Sequence, residues 1–250
     1  MPGFKAALIN ELYKIFKRKK LITAAVLSVL AVLIGQAAVT AVQAGFGVRL
    51  AGSAEFPLIV LPFFVYTILP MFATFVAIDL FNGEYSAGTM KITLTRPVSR
   101  FSVFTAKVTS VALFILGSLM FVMLVSMLAG YIFNPVSAGF MGLVRAAAAY
   151  LVSFLPVFVF SLLVILLSNL VRSGVTVFFL SLFIFLGFIM MEFIFSKYAS
   201  FFVTSQFTWY TLWISQSLNI LKLLRQTLLM AGLGIMLFTA GFYLFDRRDL

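Results

Sequence analysis

The chain has 250 residues, of which 63% are hydrophobic, 31 are phenylalanine and only 10% are charged. A soluble domain runs near one quarter charged, so too little polar surface is present to cover a water-soluble globule, and the composition is that of an integral membrane protein. The absence of cysteine and histidine excludes disulfides, thiolate catalysis, His-dependent intramembrane hydrolysis and His- or Cys-ligated metal or haem sites within the chain; whether the net charge of +11 signals nucleic acid depends on where the charges fall.

Residues 1–20 come first. Phe4, Leu8, Leu12, Ile15 and Phe16 recur at helical spacing over residues 4–16, with Lys5, Glu11 and Lys14 filling much of the remainder. The pattern predicts a short amphipathic helix at the inner membrane interface, with a polar face that is either solvated or in contact with a cytoplasmic partner. The apolar run that follows is longer than a signal-peptide core, so it is expected to be a retained anchor.

Six runs are long enough to span a bilayer as helices: 21–44, 57–80, 105–133, 146–170, 174–195 and 226–245. The third is overlong and predicts tilt or extension beyond the bilayer. The runs are continuous and not alternating, which excludes a β-barrel. With the N-terminus inside, 13 of the 18 basic residues fall on the inner side, from Lys5 to Arg248, and five fall outside: Arg49, Arg145, Lys197, Lys222 and Arg225. Both termini are therefore expected to be cytoplasmic. The charge then faces an anionic leaflet, and nucleic acid is not needed.

The connection after the second span, "FNGEYSAGTMKITLTRPVSR" (81–100), is the long polar passage of the chain. Gly83 and Gly88 have the spacing of a phosphate-binding P-loop, but Thr89 and Met90 follow Gly88, and Lys91 comes too late to reach a phosphate. The chain is not expected to hydrolyse ATP by itself. Asp79 and Glu84 lie at the end of the second span, and Gly83 and Gly88 permit sharp bends. Pro97 ends regularity and Ser99 can cap the next helix, into which Lys107 leads.

Residues 196–225 are too polar for a comfortable span and too apolar for a solvated loop. Phe207, Tyr210, Ile214, Leu218 and Leu221 are spaced by three or four, and Trp209, Tyr210 and Trp213 suit a membrane interface. The segment predicts a half-buried or re-entrant helical element on the outer side. The fold class expected is an all-α integral membrane protein with six transmembrane helices, an N-terminal interfacial helix and this element before the last span, in a single transmembrane domain over 1–250. No internal repeat is visible.

Taken together, the chain resembles the permease subunits of ABC-2-type transporters, in the small six-span group. "INELYKIFKRKK" before the first span is similar to that family's elbow helix. "GEYSAGTMKITLTRPVSRFSVFTAK" resembles its E-x-x-x-G-T…P-x-[SR]-R…K loop, with Glu84, Gly88, Thr89, Pro97, Ser99, Arg100 and Lys107 at the matching places. Segment 196–225 is similar to its re-entrant hairpin, and "FDRRDL" to its F-x-R-[RK]-D ending. The resemblance implies a bacterial or archaeal cytoplasmic membrane and a separate ABC ATPase subunit that binds ATP and Mg. It implies a second permease chain, identical or different, and no cofactor, catalytic residue or metal in this chain. Segment 81–104 would be the coupling loop, with Glu11, Glu84, Gly88, Thr89, Arg96, Pro97, Ser99, Arg100 and Lys107 working against the ATPase.

Glu84 then reads either as a salt-bridge hinge to Arg96, Arg100 or Lys107, or as a solvated helix-end acid. Arg96 and Arg100 are coupling contacts, positive-inside anchors, or both. Glu192 either pairs with Lys197 or reaches the outer interface, and without further buried carboxylates no proton or sodium relay is visible. Pro62, Pro70 and Pro156 are kink candidates within spans. The small-residue runs at 35–45 and 231–241 permit close helix approach, within the chain or between chains. The expected cargo is an amphiphile: an antimicrobial peptide, a drug or a lipid-like molecule, which would connect the chain to antibiotic resistance. The alternatives are export of a polysaccharide or lipid-linked carrier, and a sensory protein coupled to an ATPase. No paired-carboxylate site supports an enzyme, and no polar stripe supports a channel.

Overall fold

Denied water along most of their length, the apolar runs must satisfy their own backbone polar groups, and helix is the local solution. The computed structural model describes residues 2–47, 51–86, 98–134, 139–215 and 219–247, and all regular structure among them is helical. The helices are α1 (Pro2–Lys17), α2 (Lys19–Phe46), α3 (Phe56–Tyr66), α4 (Ile68–Ser86), α5 (Arg100–Phe133), α6 (Phe140–Leu170), α7 (Gly174–Ile194), α8 (Tyr210–Ile214) and α9 (Ile220–Arg247), with 3₁₀ turns at Ser196–Phe201 and Thr204–Thr208. Five helices (α2, α5, α6, α7 and α9) are long and apolar enough to cross a membrane, and the α3–α4 pair makes a sixth if taken as one bent span.

The ends of these helices follow local chemistry. At Gly47 the chain turns left-handed, with φ +64°, and its N–H bonds the Gln43 carbonyl to close α2. Ser99 caps α5 as expected, its Oγ accepting from the Ser102 N–H at 3.2 Å. Ser173 caps α7 in the same manner through the Thr176 N–H.

The second span is broken, with its two halves bent by 42°. Pro70, in the first turn of α4, has no N–H to give the Tyr66 carbonyl, and the Thr67 hydroxyl turns back onto the Phe63 carbonyl at 2.6 Å. Pro62 and Pro156 lie inside α3 and α6.

α6 is the centre of the bundle. It packs against α4, α5 and α9, and 61% of its most apolar stretch is buried, against 17% for α7. Far from α1, the amides of Gln36 and Asn134 exchange two hydrogen bonds, at 3.0 and 3.3 Å, in a buried position between α2 and the end of α5. Asn134→Leu leaves the Gln36 amide short of that partner. The expected loss is about 1–3 kcal/mol, with much of it recovered in Gln36→Leu/Asn134→Leu, and thermal unfolding in detergent reads both.

Segment 196–225, expected to be a half-buried or re-entrant helical element, is built of several short helical pieces among its described residues. Two 3₁₀ turns and the short α8 occupy its first part, and α9 begins at Ile220, before the expected start of the last span. The apolar stripe is interrupted because the Ser and Thr hydroxyls there bond nearby carbonyls, as Ser205 does with Ala199 and Phe202.

Candidate functional site

α1 lies across the end of the bundle at which α2 and α5 begin and α4 ends. Its outward residues include Ile9, Tyr13 and Phe16, while Glu11 and Ile15 are buried. The expected polar face is thus partly inverted. Glu11, only 2% exposed, points into the protein.

The reason is Lys107, about two turns into α5 and fully buried. A charge removed from water needs opposite charge and full hydrogen bonding. Lys107 Nζ meets Glu84 Oε2 at 2.8 Å and Glu11 Oε2 at 3.2 Å, and donates to the Leu80 carbonyl at 2.8 Å. Lys14 closes the figure, at 2.7 Å from Glu11 Oε1 and paired with Glu84 Oε1. Glu11, Lys14, Glu84 and Lys107 thus form a closed ring of alternating charge that joins α1, α4 and α5.

Partial burial pulls the Lys14 ammonium toward losing its proton. Its bonds to Glu11 and Glu84 and their charges outweigh that pull, and its pKa lies above the usual lysine value. The Lys14 contribution is therefore complete at neutral pH and below, and is lost only as pH rises through the raised value.

A second junction stands beside the first. Asp79 accepts from Lys20 at 2.9 Å and forms an ion pair with Arg18 at 3.1 Å, tying the α1–α2 corner to α4. Asn82 donates to the carbonyls of Val171 and Arg172, at 2.7 and 3.1 Å, holding α4 to the α6–α7 turn. Phe81, Phe104 and Phe245 pack edge-on and tilted under the ring, with centroids 5.4–6.2 Å apart. The Arg100 guanidinium donates to the Asp246 carbonyl, so the start of α5 and the end of α9 are fastened together.

Of the three partners proposed for Glu84, Lys107 is the one it meets among the described residues. Arg100 turns to α9, and Arg96 lies outside the described residues, as do Gly88, Thr89 and Pro97. Gly83 makes no bend, because α4 runs through it to Ser86. α4 reaches Ser86 and α5 begins at Arg100, both inside the bounds 81–104. Lys14, Arg18 and Lys20 were not singled out from sequence as ring or junction partners. The available signal was Lys107 itself, a cation in an apolar run that requires a buried carboxylate.

At the opposite end, Trp209 and Tyr210 are buried, at the start of a short helix, α8, that packs against α6. The Trp209 indole N–H donates to the Val152 carbonyl at 3.1 Å. Burial raises the Tyr210 phenol above its ordinary pKa. Trp213 is exposed and sits edge-on to Trp209. Glu192 accepts from the Thr204 hydroxyl at 3.2 Å, and among the described residues no ion pair joins it to Lys197.

A bundle of five to six membrane-crossing helices, fastened at one end by a lateral helix, is a multi-pass integral membrane protein. Residues 7–189 match the family described as ABC-2 family transporter protein. That is well over half of the chain, and the chain belongs to this family: it is a membrane component of an ABC-2 transporter, a type that typically lacks an ATPase domain and works with an ABC ATPase. The matched region begins within α1, contains the charge ring, and ends before the 3₁₀ turns and α9. No curated protein matches the sequence.

Proposed function

We propose that this chain is the membrane-spanning subunit of an ATP-driven exporter of amphiphilic cargo. In this reading both termini are cytoplasmic, two permease chains pair, and each docks an ATPase subunit at the α1 end. The observation that carries it is the Glu11–Lys14–Glu84–Lys107 ring. It couples α1 rigidly to the two spans that flank segment 87–97, so a push on α1 or on that segment is delivered to α4 and α5 together. The break at Thr67–Pro70 supplies a bend within the second span at which such a push can change the packing of α3. The predominantly apolar spans favour an amphiphile over an ionic cargo.

The test is purification of the tagged chain from its host in mild detergent, with co-eluting proteins identified and ATP hydrolysis and cargo efflux assayed. A stoichiometric P-loop ATPase is expected to co-elute. Glu84→Gln, which keeps the side chain's size and removes its charge, is expected to retain the ATPase and lower cargo-stimulated hydrolysis and efflux at least about tenfold, the effect of losing about 1.4 kcal/mol of coupling. A chain that elutes alone, or an unchanged response in Glu84→Gln, counts against the reading.

A further inference from the structure

The break in the second span faces a cavity of about 320 Å³, at the lower end of the range of about 300–1,000 Å³ typical of small-molecule sites. Two helical stripes wall it. Tyr66, Thr67, Pro70, Met71 and Thr74, at positions i, i+1, i+4, i+5 and i+8, make one side of the span across its break. Phe178, Ser181, Leu182 and Phe185 make the facing stripe on α7, and Phe160 comes from α6. Phe75 and Phe178 stack with centroids 4.9 Å apart, joining α4 to α7, and the Tyr66 hydroxyl donates to the Thr204 carbonyl at 3.0 Å. Met71 and Leu182 on the lining are exposed, so the cavity opens sideways toward the bilayer.

The lining carries no charged side chain, but it carries four hydroxyls. Three of them have committed their proton: Tyr66 to Thr204, Thr67 to the Phe63 carbonyl and Ser181 to the Val177 carbonyl. Thr74 differs. It is only 4% exposed, and its hydroxyl has no hydrogen-bond partner among the described residues. A helical threonine commonly turns its hydroxyl back to the carbonyl one turn earlier, as Thr67 does. A hydroxyl withdrawn from water without an acceptor is unfavourable until a ligand supplies one. An ionic ligand would be dehydrated here with no countercharge in the wall. The complementary molecule is an apolar body bearing one uncharged oxygen acceptor.

We propose that this cavity is a binding site for a neutral amphiphile, its chain lying between α4 and α7 and its hydroxyl or carbonyl oxygen accepting from Thr74. The occupant touches the span on both sides of its break, at Tyr66 and Thr67 and again at Met71 and Thr74. A change in the bend therefore alters the shape of the site, and an occupant favours the bend that fits it. The use of this site for cargo rests on the export reading above. The binding itself requires neither an ATPase nor a direction of transport, so its failure and the failure of that reading are separate results.

The test uses the full chain in phosphatidylcholine nanodiscs, with diazirine-bearing dodecanol, dodecane and dodecyltrimethylammonium as photoreactive probes and labelled residues located by mass spectrometry. The expected result is saturable labelling by the alcohol of the peptides that contain Met71–Thr74 and Ser181–Leu186. Its affinity is expected to exceed that of the hydrocarbon by about fivefold, the worth of one hydrogen bond, and the ammonium probe is expected not to label these peptides. Thr74→Val, which keeps the side chain's shape and removes its hydroxyl, is expected to bring the alcohol down to the level of the hydrocarbon without changing the hydrocarbon. Thr74→Ser, which restores a hydroxyl, is expected to restore the preference. Met71→Trp at the exposed rim is expected to suppress labelling by both neutral probes. If it fails to give a monodisperse protein, Leu182→Trp on the facing rim takes its place. Labelling that does not saturate, equal affinity of alcohol and hydrocarbon in the wild type, equal labelling by the ammonium probe, a preference that survives Thr74→Val or stays lost in Thr74→Ser, or full labelling in the plugged cavity overturns the proposal.

Discussion

Lys107→Met is expected to lower stability by about 3–5 kcal/mol, the loss typical of breaking a buried ion pair from one side. The methionine fills most of the space but leaves Glu11 and Glu84 facing each other across the joint between α1 and the bundle. The Leu80 carbonyl loses its donor as well. Lys14→Met is expected to lose much less, because Lys14 is about one third exposed and water replaces part of its role. Removing charge on both sides discriminates electrostatics from packing: Glu11→Gln/Glu84→Gln/Lys107→Met is expected to recover much of the loss, since amides tolerate burial where unpaired carboxylates do not. Thermal unfolding of the four proteins in one detergent measures the series. A Lys107→Met midpoint equal to that of Lys14→Met would remove the ring as the fastening of α1.

The second large effect belongs to Gly130, near the far end of α5. A Cβ there falls 2.5 Å from the Ser53 carbonyl oxygen and 3.4 Å from Phe56 Cβ. The first of these is backbone, held by the buried start of α3, so the clash cannot be relieved by rotating a side chain. Gly130→Ala is expected to lose about 1–3 kcal/mol through overpacking, and Gly130→Val more. Gly117→Ala is the internal control on the same helix. With open space around its Cβ, it is expected to be neutral or to gain up to about 1 kcal/mol from helix propensity. Equal melting points for Gly130→Ala and Gly117→Ala would mean that α5 does not approach the α2–α3 connection so closely.

Composition alone makes this a membrane protein, and hydropathy locates its apolar runs, because in hydrocarbon every backbone group must be bonded within its own helix. That constraint is local and leaves a local trace. The Ser99 cap and the closure of α2 near Gly47 also act within a few residues. The family was legible for a related reason: the Glu84-to-Lys107 pattern keeps chemistry-bearing residues at fixed spacing along the chain. The Pro70 break was visible as a kink candidate, though its consequence, two helices at 42°, depends on the Thr67 backbone and on what packs around it.

The direction in which side chains point was not legible. Amphipathicity in α1 gave a polar face that included Glu11, and free in solution that face would turn to water. The buried Lys107 pulls it inward instead, an attraction between residues 96 positions apart that no local period can encode. Trp209 and Tyr210 suited an interface by composition, and their burial, with Val152 supplying an acceptor to the Trp209 indole, carries no local signature. The medium this protein lives in, its helical class and its family can all be read along the chain, because they depend on hydrophobicity summed over a span and on motifs of fixed spacing. Which charges meet is settled by packing: the Glu11–Lys14–Glu84–Lys107 ring exists because three helices distant in sequence converge on one point from which water is largely excluded, where each charge is stable in the company of the others.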